Sequence, residues 1–231
     1  MFPVDSNEYL LSHAAMLLFH LLIKFLPDTY LSSQFKKPRG LFGKFILGTA
    51  MDMGNAELHN FTLEQMDIQP KDSILEIGFG TGKILNKILA STGGFTAGID
   101  FSKDMVEKAS KLNAAYIKNG RLDIRLADVS KIPFKTGTFD KVYTANTLYF
   151  WPDPVNNAKE IMRVLKKNGK LFIAFRLKEE LNKMPLTDTN FTKYSGADLK
   201  KLFKAAGYSK YELKSRSGNG PFPSHTAVIT K

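Results

Sequence analysis

Residues 74–83, ILEIGFGTGK, set an apolar run against glycines at every second position, Gly78, Gly80 and Gly82, with one carboxylate, Glu76, inside the run. Glycines directly after a hydrophobic strand let backbone N–H groups approach a ligand with no Cβ in the way, and they tolerate positive φ. The dinucleotide fingerprint G-x-G-x-x-G is not met, because its third glycine position falls on Lys83. An unpartnered carboxylate inside a strand is costly unless it faces a partner or a cation, which makes Glu76 a candidate for a positively charged ligand. Two more carboxylates stand where strands should end. Asp100 closes the run FTAGID, where it can accept both hydroxyls of a ribose, and Asp128 follows RLDIRLA, placed to accept from an adenine amine. Three carboxylates without a phosphate-binding Lys or Arg motif suit a cationic, adenosine-containing, non-phosphorylated cofactor.

The elements that must hold these residues follow from hydrophobic periodicity. Strand-like runs lie at 73–77, 95–100, 121–127, 139–145 and 170–176, separated by helical patterns over 83–90, 103–118 and 155–166, the last stopped by Asn168-Gly169. Alternation at this spacing predicts right-handed crossovers and a parallel sheet covered on both faces. After Arg176 a polar stretch precedes a helix at 197–206. Two further strands, YSKYELKS and HTAVITK, are linked by the turn-rich SGNGPFP, short enough for an antiparallel hairpin. The expected fold is α/β: a doubly wound, mostly parallel seven-stranded sheet of Rossmann-like form, with an N-terminal helical extension. The expected division is 1–60 for the extension and 61–231 for the ligand-binding domain.

The 231 residues, 43% apolar, suffice for one good core. With no cysteine in the chain, disulfides, thiolate metal sites and a cysteine nucleophile are excluded, and no metal is expected. The net charge of +11 arises beyond residue 70, and lysine far outnumbers arginine, the usual bidentate reader of phosphate and guanine. Nucleic acid is therefore the less favoured partner. Residues 9–27, YLLSHAAMLLFHLLIKFLP, form an apolar helix with His13, His20 and Lys24 on one narrow stripe. Asp5 and Glu8 argue against a secretory leader, and the two histidines and the lysine make a poor membrane span. That leaves a helix in the membrane interface or packed on the domain. Residues 35–48 set four positive charges beside Leu41, Phe42, Phe45, Ile46 and Leu47, which suits either an anionic lipid surface or a short lid helix with glycine hinges. The stretch 53–72 reads as a helix closed by Pro70.

Five segments, LEIGFGTGK, GIDFSKDM, ADVSKIPF, FDKVYTANTLYFWPDP and VLKKNGKLFIAF, occur in an order and spacing that resembles the class I S-adenosylmethionine-dependent methyltransferases. They are most similar to the small-molecule branch that includes ubiquinone/menaquinone-type and phospholipid methyltransferases. The resemblance covers residues 52–176 well and the C-terminal part by strand order only. It implies S-adenosylmethionine as cofactor, with Gly78, Phe79, Gly80 and Gly82 in its loop and Glu76 near the methionyl amino end. Asp100 would hold the ribose beside Ser102, Phe101 would cover one adenine face, Asp128 and the Val129 backbone would hold adenine, and Asn146 would close the pocket near the sulfonium. Many relatives carry a histidine shortly after the fourth strand. This chain has Leu148, Tyr149, Phe150 and Trp151 there, which makes an aromatic acceptor pocket of Tyr149, Phe150 and Trp151 the expectation.

Transfer from a sulfonium is an in-line displacement in which positioning and desolvation can do much of the work. A general base is needed only for an acceptor that keeps its proton at pH 7. His59, just before the sheet, is the first candidate, against a packing role. His225 reads as structural and Asp153 as a turn former. The reading is a cytoplasmic methyltransferase acting on a small apolar or lipid-like acceptor, in peripheral membrane contact if residues 9–48 lie in the interface. An RNA or DNA methyltransferase and a non-catalytic adenosyl-ligand binder are the alternatives.

Overall fold

A computed structural model describes residues 17, 21, 25–37, 39–40, 47–184, 187–188, 190–218 and 222–231. Most of the apolar stretch 9–27 and residues 41–46 lie outside the described residues, as do His13, His20 and Lys24.

Five parallel strands, β1 (Ile74–Ile77), β2 (Thr96–Asp100), β3 (Leu122–Leu126), β4 (Phe139–Ala145) and β5 (Leu165–Phe175), are continued by an antiparallel hairpin of β6 (Lys210–Arg216) and β7 (Ser224–Thr230). The sheet order is β3-β2-β1-β4-β5-β7-β6, so β7 inserts antiparallel beside β5. Strand order reverses between β1 and β4, the usual place for a ligand in such sheets. Preceding and connecting the strands are α1 (Asp28–Lys36), α2 (Gly48–Gly54), α3 (Ala56–Met66), α4 (Lys83–Ser91), α5 (Lys103–Leu112), α6 (Ala114–Lys118), α7 (Pro154–Val164), α8 (Lys178–Leu181) and α9 (Gly196–Ala205).

The pleat divides the core. Ile74 and Tyr143 face Leu58 and Met66 of α3 and Ile84 and Ile88 of α4. Leu75, Ile77, Val142 and Leu171 face Ala158 and Ile161 of α7 and Leu199 and Phe203 of α9. Because side chains alternate along a strand, Glu76 shares the first of these faces, directly across from Tyr143 in register. α3 belongs to that core, and its Thr62 hydroxyl meets that of Thr226 on β7 at 2.7 Å. A division at residue 60 therefore cuts a packed helix.

Several boundaries differ from the sequence expectation, each for a local reason. The single helix expected over 103–118 is two, because the buried Asn113 side chain donates to the carbonyls of Gly82 (3.1 Å) and Ala109 (3.0 Å) and so ties α5 to the start of α4. α7 stops at Val164 and β5 starts at Leu165, already paired with Phe139; Asn168, at φ 62°, turns within the strand. The helix expected over 53–72 is broken at Asn55 into α2 and α3 and ends at Asp67, whose left-handed φ of 45° precedes Pro70.

Candidate active site

The loop after β1 turns at the carboxyl edge of the sheet, and a cavity of about 290 Å³ opens there. Gly78 (φ 70°) passes so close to β4's exit that a Cβ would lie 2.4 Å from the Thr147 methyl group. Gly80 (φ 54°) is different, because a Cβ there would meet nothing within 4 Å and would project into open space. Of the residues expected to bind cofactor, Gly78, Gly80, Asp100, Phe101, Asp128, Val129 and Asn146 line this cavity. Phe79 does not: its ring packs in the core with Leu85 and Met105. Gly82 starts α4, where a Cβ would strike Ala109 of α5 at 2.6 Å, and Ser102 is the buried N-cap of α5. These three shape the loop and its helices and are not part of the cavity wall.

Two carboxylates, Asp100 and Asp128, line the cavity. Both oxygens of the buried Asp100 carboxylate accept backbone N–H groups, from Ser102 at 2.8 Å and Gly80 at 3.0 Å. Burial nevertheless pushes its pKa up to about 6, with the Ser102 and Gly80 amides and Lys37 opposing. Glu76 is buried, and its Oε2 has no hydrogen-bond partner. Burial raises the Glu76 pKa well above the usual carboxylate range, and the negative charges of Asp100 and then Asp52 add to the rise. Asp52 comes from α2, where it accepts a hydrogen bond from Thr81 of the loop at 2.8 Å. Glu76 lines neither cavity, but it lies in β1 two residues before Gly78, and a buried carboxylate oxygen left without a partner among like charges fits the cationic end of S-adenosylmethionine.

A second cavity, about 260 Å³, adjoins the first, and Phe35, Met51, Asn146 and Phe150 belong to both walls. Tyr149 lines the second cavity and Phe150 both. Trp151, expected with them, lines the first cavity instead, its indole N–H donating to Thr147 Oγ1 at 3.3 Å. Asn146 holds a left-handed φ of 53°, tolerated by asparagine, at the end of β4. The single Tyr149 hydroxyl proton is shared between Asn146 Oδ1 at 3.3 Å and the Arg176 carbonyl at 3.2 Å. Phe191 and Phe222 extend the aromatic wall, with Arg176 and Glu57 its basic and acidic members. Phe35 and Met51 come from α1 and α2, so the segment before the sheet contributes to both walls. Lys37 sits over the Phe101 ring, and Asn190 donates to Ser32 of α1 at 2.7 Å.

His59 lines neither cavity. Its Nδ1 is hydrogen-bonded to the Tyr143 hydroxyl at 2.5 Å, and burial, then Lys87 and Arg176, lower its pKa to about 4. A group with that pKa is a weak base at pH 7, and its geometry is that of a packing histidine. Asp153 caps α7, accepting from Asn156 N at 3.2 Å, and His225 is buried in β7. Asp52, Phe191 and Arg176 were not singled out in the sequence. No local motif marks them, and only the chain fold brings them to the site. Among the described residues no group of three or more His, Asp or Glu is arranged to hold a metal ion, and no helix is long and apolar enough to cross a membrane.

Residues 75–173 match the family described as a methyltransferase domain. The uncharacterized methyltransferase YdaC of Bacillus subtilis is 30% identical over 173 residues, 74% of this chain and 91% of the relative. The ubiquinone/menaquinone biosynthesis C-methyltransferase UbiE of Geotalea daltonii is 33% identical over 115 residues, which span 49% of each chain. Among solved structures, a SAM-dependent methyltransferase from Aquifex aeolicus superposes with a TM-score of 0.62 at 22% identity, covering 77% of this chain and 92% of that one. The sequence relationship and the shared seven-stranded sheet lead to one conclusion: this chain belongs to the class I S-adenosylmethionine-dependent methyltransferases.

Proposed function

We propose that the chain methylates a small, largely apolar acceptor seated in the second cavity, with the cofactor in the first. The observation that carries this reading is the shared wall: two cavities of similar size meet at Asn146 and Phe150, the first lined by Asp100 and Asp128 and the second mainly aromatic, with Arg176 and Glu57. S-adenosylmethionine, when bound, supplies a methyl group already activated by its sulfonium. Glu76 and Asp100 favour the cationic end of that molecule, Gly78 and Gly80 leave room for it, and Phe101, Asp128 and Val129 bound the adenine side. Asn146, fixed by Tyr149, and the Phe150 ring hold the acceptor atom in line with the methyl carbon and keep water out. Burial raises the Tyr149 phenol pKa, so it stays protonated and structural. With His59 turned to Tyr143, the site favours acceptors that need little help in losing a proton.

The test is methyl transfer from radiolabelled S-adenosylmethionine to a prenylated hydroquinone, a phospholipid, a phenol and bulk tRNA, with Phe191→Ala beside the native protein. Phe191 lines the second cavity only. A KM for the small acceptor raised about tenfold, with cofactor affinity unchanged, supports the assignment. Labelling of tRNA alone, or a KM indifferent to Phe191, contradicts it.

A peripheral membrane contact is the second part of the proposal. Leu17, Leu21 and Phe25, spaced by four, are 73%, 58% and 80% exposed, one apolar stripe with no covering partner among the described residues. Replacing all three with serine should reduce sedimentation with anionic liposomes, and unchanged sedimentation would argue against the contact.

A further inference from the structure

The second cavity holds a charge that the proposed chemistry does not use. Arg176 follows β5 directly, and its guanidinium stands in a wall otherwise built mainly of Phe35, Tyr149, Phe150, Phe191 and Phe222. Nη1 donates to the carbonyls of Phe222 (3.3 Å) and Pro223 (2.5 Å), and the Phe222 ring lies 5.8 Å away, so the group is held in place. Among the described residues no carboxylate pairs with it. Elsewhere in the chain Arg125 pairs with Asp123, Arg163 with Glu160 and Arg216 with Glu64, while Arg121 caps the carbonyls of Leu89 and Thr92 away from both cavities.

Of the neighbouring acids one is engaged elsewhere and the other forms no ion pair with Arg176 among the described residues. Glu180 is bound to His225 and to the Leu177 amide, and the Glu57 carboxylate packs against Gly218. A fixed guanidinium in a mainly aromatic wall, with no carboxylate paired to it among the described residues, is a strong hydrogen-bond donor to an anion, and its fork geometry suits a carboxylate or a phosphate. Tyr149 sets its distance from the transfer point, since one hydroxyl touches both the Arg176 backbone and the Asn146 side chain.

Building on the assignment of the second cavity to the acceptor, we infer that the acceptor is an apolar, ring-sized molecule bearing one anionic group, which Arg176 holds while the methylated atom lies at the Asn146 and Phe150 end. The anion fixes the orientation of the ring and so decides which atom faces the methyl group. A cationic amine is disfavoured there.

The experiment is calorimetric titration of the full chain, saturated with S-adenosylhomocysteine, against four probes: 2-naphthoate, 2-naphthamide, 2-naphthylmethylamine and dihexanoylphosphatidate. Either anion should bind at least about tenfold more tightly than the amide, and whichever of the two does so tells a free acid from a lipid phosphate. Arg176→Met should bring anion and amide to the same affinity, and Arg176→Lys should restore part of the preference. The native comparison requires no variant, so a folding defect in either leaves the test intact. Equal binding of acid and amide that is weakened by Phe191→Ala overturns the charge assignment while leaving the cavity as the acceptor site. Tightest binding of the amine overturns it as well, in favour of Glu57. Absence of binding by every probe, or binding indifferent to Phe191→Ala, overturns both.

Discussion

Glu76 and Glu180 are both buried carboxylates, 3% and 8% exposed, and their surroundings are opposite. Glu180 Oε2 accepts from the Leu177 amide at 3.0 Å, and its Oε1 is hydrogen-bonded to His225 Nε2 at 2.7 Å. His225 Nδ1 in turn meets the Ser215 hydroxyl at 2.7 Å. That chain closes on itself and ties α8 to the hairpin. Glu76 has an oxygen with no partner, and the charges of Asp100 and Asp52 add to burial in raising its pKa. A satisfied buried acid stabilises the fold, whereas an unsatisfied one among its own kind is tolerated because a ligand completes it. The same contrast separates the two cavities: an acidic one suited to a cationic cofactor, and an aromatic one with a single unmatched guanidinium.

The largest test of this contrast is Glu76→Gln. The account expects S-adenosylmethionine affinity to fall at least about 100-fold, or about 3 kcal/mol, because a buried charge partner of the ammonium end is removed. Thermal unfolding at pH 7 should show the apo protein as stable as before or more so, since an unfavourable buried carboxyl is gone. Glu180→Ala should do the reverse. Leaving the Leu177 amide and His225 without their partner costs about 1–3 kcal/mol, read by urea unfolding, while cofactor affinity stays within about twofold. A loss of cofactor binding in folded Glu180→Ala would erase the distinction.

A smaller effect sharpens the role of Asp100. Its pKa in the fold is about 6, above the ordinary 3.8, so at pH 5 the free site is mostly protonated and at pH 7 mostly ionised. Affinity for the cofactor should weaken about tenfold from pH 7 to pH 5, and Asp100→Asn should flatten that profile. For the apo fold the sign is opposite. The stabilisation from protonated Asp100 is fully present below about pH 4 and is lost as pH rises through about 6. Smallest of all, His59→Gln should leave turnover within about threefold, where loss of a general base costs on the order of a hundredfold or more.

The five parallel strands were legible because each is a short apolar or alternating run separated from the next by a helical pattern or turn residues, and the glycines with Asp100 and Asp128 mark strand ends by position alone. Asn146 came from the family resemblance and not from position. The place of Trp151 was not legible: three consecutive aromatics give no clue to which cavity each ring turns toward, and the 3₁₀ turn Leu148–Phe150 sends Tyr149 and Trp151 to opposite sides. The break at Asn113 was hidden because its cause, the Gly82 carbonyl, is 31 residues away in the chain. Arg176 and Asp52 carry no motif. One is a lone arginine after a strand and the other a lone aspartate in a short helix, and each gains meaning only from what the fold sets beside it.

The central claim, that the glycine loop and its buried acids form a site for a cationic adenosyl cofactor, is tested most directly by calorimetric titration of the purified protein with S-adenosylmethionine, S-adenosylhomocysteine and NAD in parallel. The account predicts that both adenosyl ligands bind, that S-adenosylmethionine loses affinity in Glu76→Gln, and that NAD does not bind. Binding of NAD, or no binding of either adenosyl ligand by a protein shown to be folded, would contradict it.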